Sequence, residues 1–272
     1  MEEKTLNLSM NPVPVPPSTC FSLTGKIVVL TGGAGLYGRG LTAQLAGAGA
    51  TLILASRNVA VLEQVAAEER ALGRIVHARS LDQADEASIF RLRDGVMAEF
   101  GRVDGLVNNA VARPMKSPDA PLADWEASMQ TNATGLFAIT RAFGGEMARR
   151  GSGNIVNIGS IQGMVGPDYA LYEGLGMQAI PDYFFHKAGM VNLTRFFAAY
   201  YGPHGVRVNC LSPGGFLSGQ PPAFVERYSK ATFLRRMADE HDLGGPVIFL
   251  LSDASRYITG VNLPVDGGYT AH

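Results

Sequence analysis

Short apolar runs alternate with longer amphipathic segments along most of this chain. From Gly25 onward, seven runs are rich in aliphatic residues, and several are apolar almost throughout, as strands buried on both faces should be. The predicted strands cover residues 26–31, 51–55, 75–78, 105–108, 154–158, 207–212 and 261–265. The predicted helices between them cover residues 36–48, 58–72, 86–100, 122–149, 182–201 and 241–252. Repeated strand–helix units predict an α/β fold, with a doubly wound parallel sheet flanked by helices.

The N-terminal segment differs in composition from the rest of the chain. Residues 1–22 hold four prolines between positions 12 and 17 and lack the apolar core of a signal peptide. Proline-rich segments favour extended conformations, so we expect a flexible arm. Residues 23–272 contain no repeat and no linker, which predicts one domain. Within this domain, residues 215–240 are less regular, and we expect a helical flap over the site there.

Composition and charge narrow the range of partners. The chain has 272 residues, of which 46% are hydrophobic and 17% charged, as is typical of a water-soluble globular protein. The net charge of −1 argues against a nucleic-acid partner, and no apolar stretch reaches the roughly 18–20 residues that span a membrane. Two cysteines, Cys20 and Cys210, suggest neither a disulfide framework nor a metal site. We therefore expect a cytoplasmic protein, without a bound metal, that acts on a small molecule.

A glycine-rich turn joins the first predicted strand to the first predicted helix. Gly32, Gly35 and Gly38 permit a tight turn and a close approach of the backbone to a pyrophosphate. The N-terminus of the following helix adds N–H groups and the positive end of its dipole. Because the turn lies between a strand and a helix, the pattern favours a dinucleotide site over a glycine turn without a ligand. We expect Leu36 and Tyr37 to contact the cofactor as well.

The end of the second predicted strand bears on the choice of cofactor. NAD-binding proteins of this architecture usually place an acidic residue there, on the 2′-hydroxyl of the adenosine ribose. This chain has Ser56, Arg57 and Asn58 instead, and an arginine suits the 2′-phosphate of NADP. NADP(H) is favoured, and NAD(H) stays open because Arg57 is alternatively a solvated loop residue. After the third strand, Asp82 is placed to accept a hydrogen bond from the adenine amino group, and Leu81 lies beside it.

Tyr183 and Lys187 are four residues apart in a predicted helix, which puts both side chains on one face. An ammonium close to a phenol favours the phenolate and lowers the pKa of the phenol. Such a phenol can exchange a proton with a carbonyl or an alcohol. The spacing is common by chance, so its meaning depends on the nucleotide-binding turn and on the serine that precedes it in the chain.

These segments together resemble the short-chain dehydrogenase/reductase family over nearly the whole chain, from about residue 23 to residue 270. The motifs that carry the resemblance occur in the family's order. They are Thr31-Gly32 with Gly38, Asp82, Asn108-Asn109-Ala110, Asn132, Ile158-Gly159-Ser160, Tyr183 with Lys187, Pro213-Gly214, Ile258-Thr259-Gly260 and Val265-Asp266-Gly267-Gly268. The resemblance implies a single-domain Rossmann-type fold. It also implies a homotetramer or homodimer, in which helices 122–149 and 182–201 pack between subunits.

The same resemblance implies the roles of four catalytic residues. Tyr183 would exchange the proton with the substrate oxygen, and Lys187 would bind the nicotinamide ribose and lower the pKa of Tyr183. Ser160 would hydrogen-bond the substrate oxygen. Asn132 would bend its helix and fix a water molecule that links Lys187 to solvent. The implied contacts to the nicotinamide and its ribose come from Asn108, Ala110, Tyr183, Lys187, Pro213, Gly214, Phe216 and Ser218.

The chain departs from the family pattern between Ser160 and Tyr183, where the separation is longer than usual. We interpret the difference as an insertion within residues 161–182. It begins at one catalytic residue and ends at the other, so we expect it at the substrate mouth, with an oligomer contact as the alternative. This inserted form resembles a branch of bacterial oxidoreductases associated with surface-sugar and nonulosonate pathways.

The predicted function is hydride transfer between NADP(H) and a secondary alcohol or ketone. Tyrosines, carboxylates and amides in the insertion suit a sugar, polyol or sugar acid. Arg113 follows the fourth strand and could pair with a carboxylate or phosphate of the substrate, or alternatively form a structural salt bridge. Two other hypotheses remain: a reductase of small ketones or acyl-chain carbonyls, and a dinucleotide-binding scaffold without catalysis.

Overall fold

Seven parallel strands form one sheet in the computed structural model, which describes residues 17–272. The strands are β1 Ile27–Thr31, β2 Thr51–Ser56, β3 Val76–Ser80, β4 Gly105–Asn108, β5 Gly153–Ile158, β6 Val206–Pro213 and β7 Asn262–Val265. Their order across the sheet is β3-β2-β1-β4-β5-β6-β7. Every predicted strand is present to within two residues, and the predicted single-domain Rossmann-type architecture is confirmed.

Nine α-helices follow one another in the described part of the chain. They are α1 Pro17–Cys20, α2 Leu36–Gly47, α3 Val59–Ala71, α4 Glu86–Phe100, α5 Leu122–Met129, α6 Gly135–Arg150, α7 Pro181–Tyr201, α8 Pro222–Ala231 and α9 Gly244–Leu251. Local chemistry sets several of their ends. The side chain of Asp85, for example, accepts hydrogen bonds from the backbone N–H groups of Ala87 and Ser88 and so caps α4. No helix within residues 17–272 is both long and apolar enough to cross a membrane.

The sheet is covered on both faces, which explains why its strands are apolar at consecutive positions. Val28 and Leu30 of β1 point into a core formed with α2, α3 and α9. Val29, between them, points into a second core formed with α4, α6 and α7. Successive side chains of a strand face opposite sides of the sheet, so a strand between two helical layers needs apolar residues throughout.

The single helix predicted over residues 122–149 is wrong in one respect, because α5 and α6 are separated by a π-helical segment, Gln130–Thr134. Asn132 lies in this segment, where the resemblance implied a bend. Gly135 follows this segment and packs against the loop after β3. A Cβ on Gly135 would lie 2.1 Å from the carbonyl oxygen of Gln83 in that loop. An extra residue in the helical turn changes the direction of the side chains that follow, as π-bulges do at functional sites.

Two further predictions concern less regular segments. The helix α8 lies within residues 215–240, where a helical flap was expected. Most of the predicted N-terminal arm, residues 1–22, lies outside the described residues. At its described end, Pro17–Cys20 form one helical turn, and the ring of Phe21 lies 6.2 Å from that of Phe249 on α9.

Candidate active site

The residues predicted for the site lie at one edge of the sheet, because the carboxyl ends of parallel strands share an edge. The glycine turn follows β1, the Asn108-Asn109-Ala110 segment follows β4, and Ser160 follows β5. Gly214 follows β6 at the same edge. Ligands of open α/β sheets bind outside this edge, where the order of the strands reverses. In this sheet the reversal falls between β1 and β4.

The glycine turn has a backbone that only glycines allow. Gly32 has φ of +69°, in the left-handed region, and a Cβ on Gly38 would lie 2.1 Å from the carbonyl oxygen of Gly32. The side-chain amide of Asn109 donates to the carbonyl oxygens of both Thr31 and Gly32, at 3.0 Å each. Gly35 begins α2 without a side-chain cap. The first N–H groups of α2 are therefore available to an anion, and the turn fits the pyrophosphate of a dinucleotide.

Tyr37 ties the start of α2 to the loop after β6. Its hydroxyl donates to the carbonyl oxygen of Gly214 at 2.8 Å, and its ring meets the edge of Phe216 at 4.7 Å between centroids. Burial raises the pKa of Tyr37, so the phenol stays protonated and keeps this bond. Leu36, the neighbouring residue, is exposed. One side chain thus joins the expected pyrophosphate turn to the loop expected to hold the nicotinamide.

The adenosine end of the groove is more open. Arg57 is exposed at the end of β2, next to Ser56. Asn58 uses its side chain to cap α3, accepting a hydrogen bond from the backbone of Val61 at 3.2 Å. Leu81 is buried, and Asp82 accepts from the N–H of Ala84 at 3.0 Å through one carboxylate oxygen.

Lys187 lies beneath Tyr183 on α7. The residue is 2% exposed, and its ammonium donates to the carbonyl oxygen of Ile158 at 2.6 Å and lies 5.6 Å from the centroid of the Tyr183 ring. Burial lowers the pKa of Lys187, and the neighbouring Tyr183 opposes that shift. The four-residue spacing therefore places the Lys187 ammonium and the Tyr183 ring on one face of α7.

Ser160 lies two residues after Ile158, the last residue of β5, whose carbonyl oxygen accepts from Lys187. Its hydroxyl oxygen accepts from the N–H of Gln162 at 3.1 Å and opens a short 3-10 turn, Ile161–Gly163. This turn packs on α7, because a Cβ on Gly163 would lie 2.6 Å from the carbonyl carbon of Lys187. The contact between turn and helix brings Ser160 to the part of α7 that bears Tyr183 and Lys187.

Asn132 joins the loop after β4 to the rest of the site. Its side chain accepts from the N–H of Ala112 at 2.9 Å and donates to the carbonyl oxygen of Ala112 at 2.8 Å. It also donates to Ser128, whose hydroxyl donates in turn to the buried carboxylate of Asp182 at 2.5 Å. Asn132 thus holds both the loop and, through Ser128, the start of α7.

Asn108 directs its amide nitrogen into the protein interior. This group donates to Thr140 at 3.1 Å and to Asn157 at 2.8 Å. Its oxygen has no partner among residues 17–272 and lines a narrow polar pocket behind the site with His186 and Lys187. An implied contact from position 108 to the ribose would therefore use the oxygen or the backbone.

The nicotinamide end is formed by the loop after β6. Gly214 packs against the last strand, where a Cβ would lie 3.1 Å from the Cα of Asp266. Gln220 shapes the next residues by donating to the carbonyl oxygen of Phe216 at 2.7 Å and to the hydroxyl of Ser218 at 3.3 Å. Pro213 is the last residue of β6, and Ala110 lies two residues after the end of β4.

Residues 161–182, the predicted insertion, pack against α8. Leu171 is buried in a small cluster with Phe224 and Tyr228. Arg227 of α8 donates to three carbonyl oxygens of the insertion, including that of Glu173 at 2.7 Å. On its other side the insertion borders an apolar cavity of about 620 Å³. This cavity is lined by residues that include Trp125, Met164, Val165, Tyr169, Phe184 and Phe185, but by none of the four predicted catalytic side chains.

Four residues that shape the site were not predicted as part of it: Asn109, Ser128, Asp182 and His186. Asn109 carried a signal, since it lies within the Asn108-Asn109-Ala110 motif. Ser128 and Asp182 are 54 residues apart in the sequence, so no local sequence pattern predicts their hydrogen bond. His186 is buried, and burial together with the cations Lys187 and Arg113 lowers its pKa to about 3. Only the packing of α7 reveals this environment.

Comparison with known proteins gives the family of the chain. A family model described as Enoyl-(Acyl carrier protein) reductase matches residues 35–270. Galactitol 2-dehydrogenase (L-tagatose-forming) of Cereibacter sphaeroides is 33% identical, over 93% of this chain and 98% of that protein. The chain belongs to the short-chain dehydrogenase/reductase family. As a member it is an NAD(P)-dependent oxidoreductase that acts on alcohols, which excludes the hypothesis of a scaffold without catalysis.

Solved structures of the short-chain dehydrogenase/reductase family share the whole fold. A gluconate 5-dehydrogenase of Burkholderia cenocepacia, in complex with NADP and tartrate, has a TM-score of 0.85 and 30% identity, covering 93% of this chain and 98% of that one. An NAD⁺-bound xylitol dehydrogenase has a TM-score of 0.83 and 29% identity, covering 90% and 99%. The cofactor is therefore a nicotinamide dinucleotide.

Proposed function

We propose that this protein is an NADP(H)-dependent oxidoreductase that interconverts a secondary alcohol and a ketone on a sugar, polyol or sugar acid. The observation that carries the reaction is the buried ammonium of Lys187, held by Ile158 within 5.6 Å of the Tyr183 ring centroid. Similarity to a galactitol dehydrogenase and to a gluconate 5-dehydrogenase supports a polyhydroxylated substrate.

Each catalytic residue has a role that its surroundings support. Tyr183 gives a proton to the substrate oxygen in reduction and takes it back in oxidation. The Lys187 ammonium favours the phenolate at that moment, and its burial strengthens the interaction. Ser160 donates a hydrogen bond to the substrate oxygen, and Asn132 holds the loop that faces it. The dinucleotide supplies or accepts the hydride when bound.

The choice of NADP(H) rests on the adenosine end of the groove. The second strand ends in Ser56 and the exposed Arg57, not in a carboxylate. A guanidinium can bind a 2′-phosphate through two parallel hydrogen bonds, whereas a carboxylate would repel it.

Reduction of small apolar ketones or acyl chains is a second candidate, which the apolar cavity beside the insertion favours. A panel of polyols, sugar acids, cyclic ketones and acyl thioesters, each with both coenzymes, separates the two candidates. Turnover confined to the ketones and thioesters would overturn the proposal of a sugar substrate.

The catalytic assignment is tested with Tyr183→Phe. This variant removes the proton donor and should lose turnover by about 10³-fold or more while it still binds coenzyme. Tyr200→Phe is the control, because it removes an exposed phenol from the same helix. Normal turnover by Tyr183→Phe would refute the assigned role.

The coenzyme assignment is tested with Arg57→Asp. The variant should shift the ratio of kcat/KM values from NADP(H) towards NAD(H) by about 10²-fold, since one charge-assisted contact is lost and a repulsion is added. An unchanged ratio would show that Arg57 does not bind the phosphate.

A further inference from the structure

Arg113 stands directly over the catalytic phenol. Its guanidinium carbon lies 4.5 Å from the centroid of the Tyr183 ring, and the residue is exposed. A guanidinium stacked on an aromatic face keeps the N–H groups at its edge free for another partner. The position therefore presents hydrogen-bond donors next to the place where the substrate oxygen would meet Tyr183.

The structural salt bridge that the sequence left open for Arg113 is not formed. No carboxylate within residues 17–272 pairs with this guanidinium. The nearby carboxylate at the start of α7, Asp182, is buried and accepts its hydrogen bond from Ser128. The guanidinium therefore has no counterion among the described residues and is available to an anionic ligand.

The backbone on both sides of Arg113 is fixed. The preceding residue, Ala112, makes two hydrogen bonds with the side chain of Asn132, at 2.9 and 2.8 Å. The carbonyl oxygen of Arg113 itself accepts from the ammonium of Lys116 at 2.8 Å. The guanidinium thus extends from a backbone that is held against the catalytic machinery, which reduces the entropy lost when it binds a ligand.

The positive charges near Arg113 are not balanced by a carboxylate of the described chain. Its charge acts on Lys187 and helps to lower the pKa of that ammonium, after the larger effect of burial. It acts in the same way on His186. Besides Arg113, the groups that act on Lys187 are Tyr183 and Cys210, and neither is a carboxylate. Two cations therefore face the reaction centre, and an anionic substrate would neutralise them.

We propose that Arg113 binds a carboxylate of the substrate, and that the substrate is therefore a hydroxy acid or its keto acid, such as a sugar acid, and not a neutral polyol. The inference rests on the proposed function, because it places the carboxylate relative to an alcohol or ketone at Tyr183. The planar fork of one guanidinium matches a carboxylate through two parallel hydrogen bonds. Arg113 thus acts as a residue of specificity.

The test compares wild type with Arg113→Gln and Arg113→Lys on matched substrates. Gluconate and glucitol form one pair, since they differ mainly in the carboxylate, and glucitol 6-phosphate, which has a phosphate but no carboxylate, tests the phosphate. Arg256→Gln is the control for loss of a positive charge, because Arg256 is exposed and precedes β7 at the opposite edge of the sheet. Binding of tartrate to the coenzyme-loaded protein, measured by calorimetry, provides a readout that needs no turnover.

We expect Arg113→Gln to lower kcat/KM for the acid, mainly through KM, by about 10- to 100-fold more than for the neutral polyol. Arg113→Lys should recover part of the loss, since it keeps the charge but not the fork. Tartrate binding should weaken in the same order, and Arg256→Gln should match wild type.

Equal losses on acid and polyol would overturn the inference, and so would a preference for the phosphorylated sugar or for the neutral polyol in wild type. Absence of turnover with every alcohol and ketone would refute the proposed function instead. In that case tartrate binding still decides the inference: binding that depends on Arg113 supports it, and binding equal in all variants refutes it.

Discussion

His186 should make the stability of this protein depend on pH between neutrality and mild acid. The imidazole is 3% exposed, and neither ring nitrogen has a partner among residues 17–272. Burial, then the charges of Lys187 and Arg113, lower its pKa from 6.5 to about 3. The folded protein therefore keeps this ring neutral at a pH where the unfolded chain has protonated it.

The sign and size of the effect follow from this difference in pKa. Because the folded-state pKa is the lower one, the unfolded state binds more protons, and stability falls as pH drops from about 6.5 towards about 3. One proton taken up on unfolding corresponds to about 1.4 kcal/mol for each pH unit well below the unfolded pKa. Between pH 7 and pH 5, His186 alone should therefore remove about 2 kcal/mol from the free energy of unfolding.

The assay is urea unfolding at fixed protein concentration, at pH 7, 6 and 5, for wild type and His186→Phe. Phenylalanine does not titrate, and its ring can keep the edge contact with Tyr183, whose centroid lies 5.2 Å from that of His186. The loss between pH 7 and pH 5 should be smaller in the variant by about 2 kcal/mol. His204→Gln removes an exposed imidazole, which meets water in both states, and should behave like wild type. Identical pH dependence in His186→Phe and wild type would refute the reasoning.

Three further predictions concern the turn and the supports of the site. Gly38→Ala should destabilise the fold by about 3 kcal/mol or more, because the new Cβ would lie 2.1 Å from a backbone oxygen. The Cβ of Gly35→Ala would lie 3.3 Å from its nearest atom, so this variant should keep the wild-type Tm but weaken coenzyme binding by about 10-fold or more in a fluorescence titration. Equal effects of the two variants on Tm and on coenzyme binding would contradict this prediction. Arg207→Met should lower the free energy of urea unfolding by about 2–4 kcal/mol, since Arg207 donates to three carbonyl oxygens around the end of α9. An unchanged free energy of unfolding would mean that water replaces those hydrogen bonds. Ser128→Ala should lower the free energy of urea unfolding by about 1–3 kcal/mol and lower kcat, because the buried carboxylate of Asp182 loses a hydrogen-bond donor and Asn132 loses an acceptor. Ser128→Thr should recover both stability and kcat. A fully active and stable alanine variant would show that Ser128 does not support Asn132 and Asp182.

Local patterns in the sequence predicted the elements of this fold well, for a physical reason. A strand covered on both faces must be apolar at consecutive positions, and a helix on a sheet must repeat its apolar residues every turn. The strands and all but one of the long helices could therefore be predicted to within a few residues. The exception, the helix over residues 122–149, contains a π segment at Gln130–Thr134 that has no distinct hydrophobic period.

The residues of the candidate site also form two groups, those that local sequence patterns predict and those that they do not. Gly32, Gly38 and the Tyr183–Lys187 pair could be predicted because backbone sterics and helical spacing act over a few residues. The contact between the insertion and α8 could not, since Arg227 reaches carbonyl oxygens more than fifty residues earlier in the chain.

The sequence by itself determined which segments become strands and helices, where the dinucleotide turn lies and which phenol has an ammonium one helical turn away. These features depend on residues within about one helical turn of each other in the sequence, so local sequence patterns are enough to predict them. Only the tertiary structure decided that Arg113 stacks on Tyr183 without a carboxylate partner, that Asn132 and Ser128 support the loop and α7, and that His186 is buried between cations. Those relations join residues that are distant in the chain, and they exist because the crossovers of a parallel sheet bring loops from separate strands to one edge.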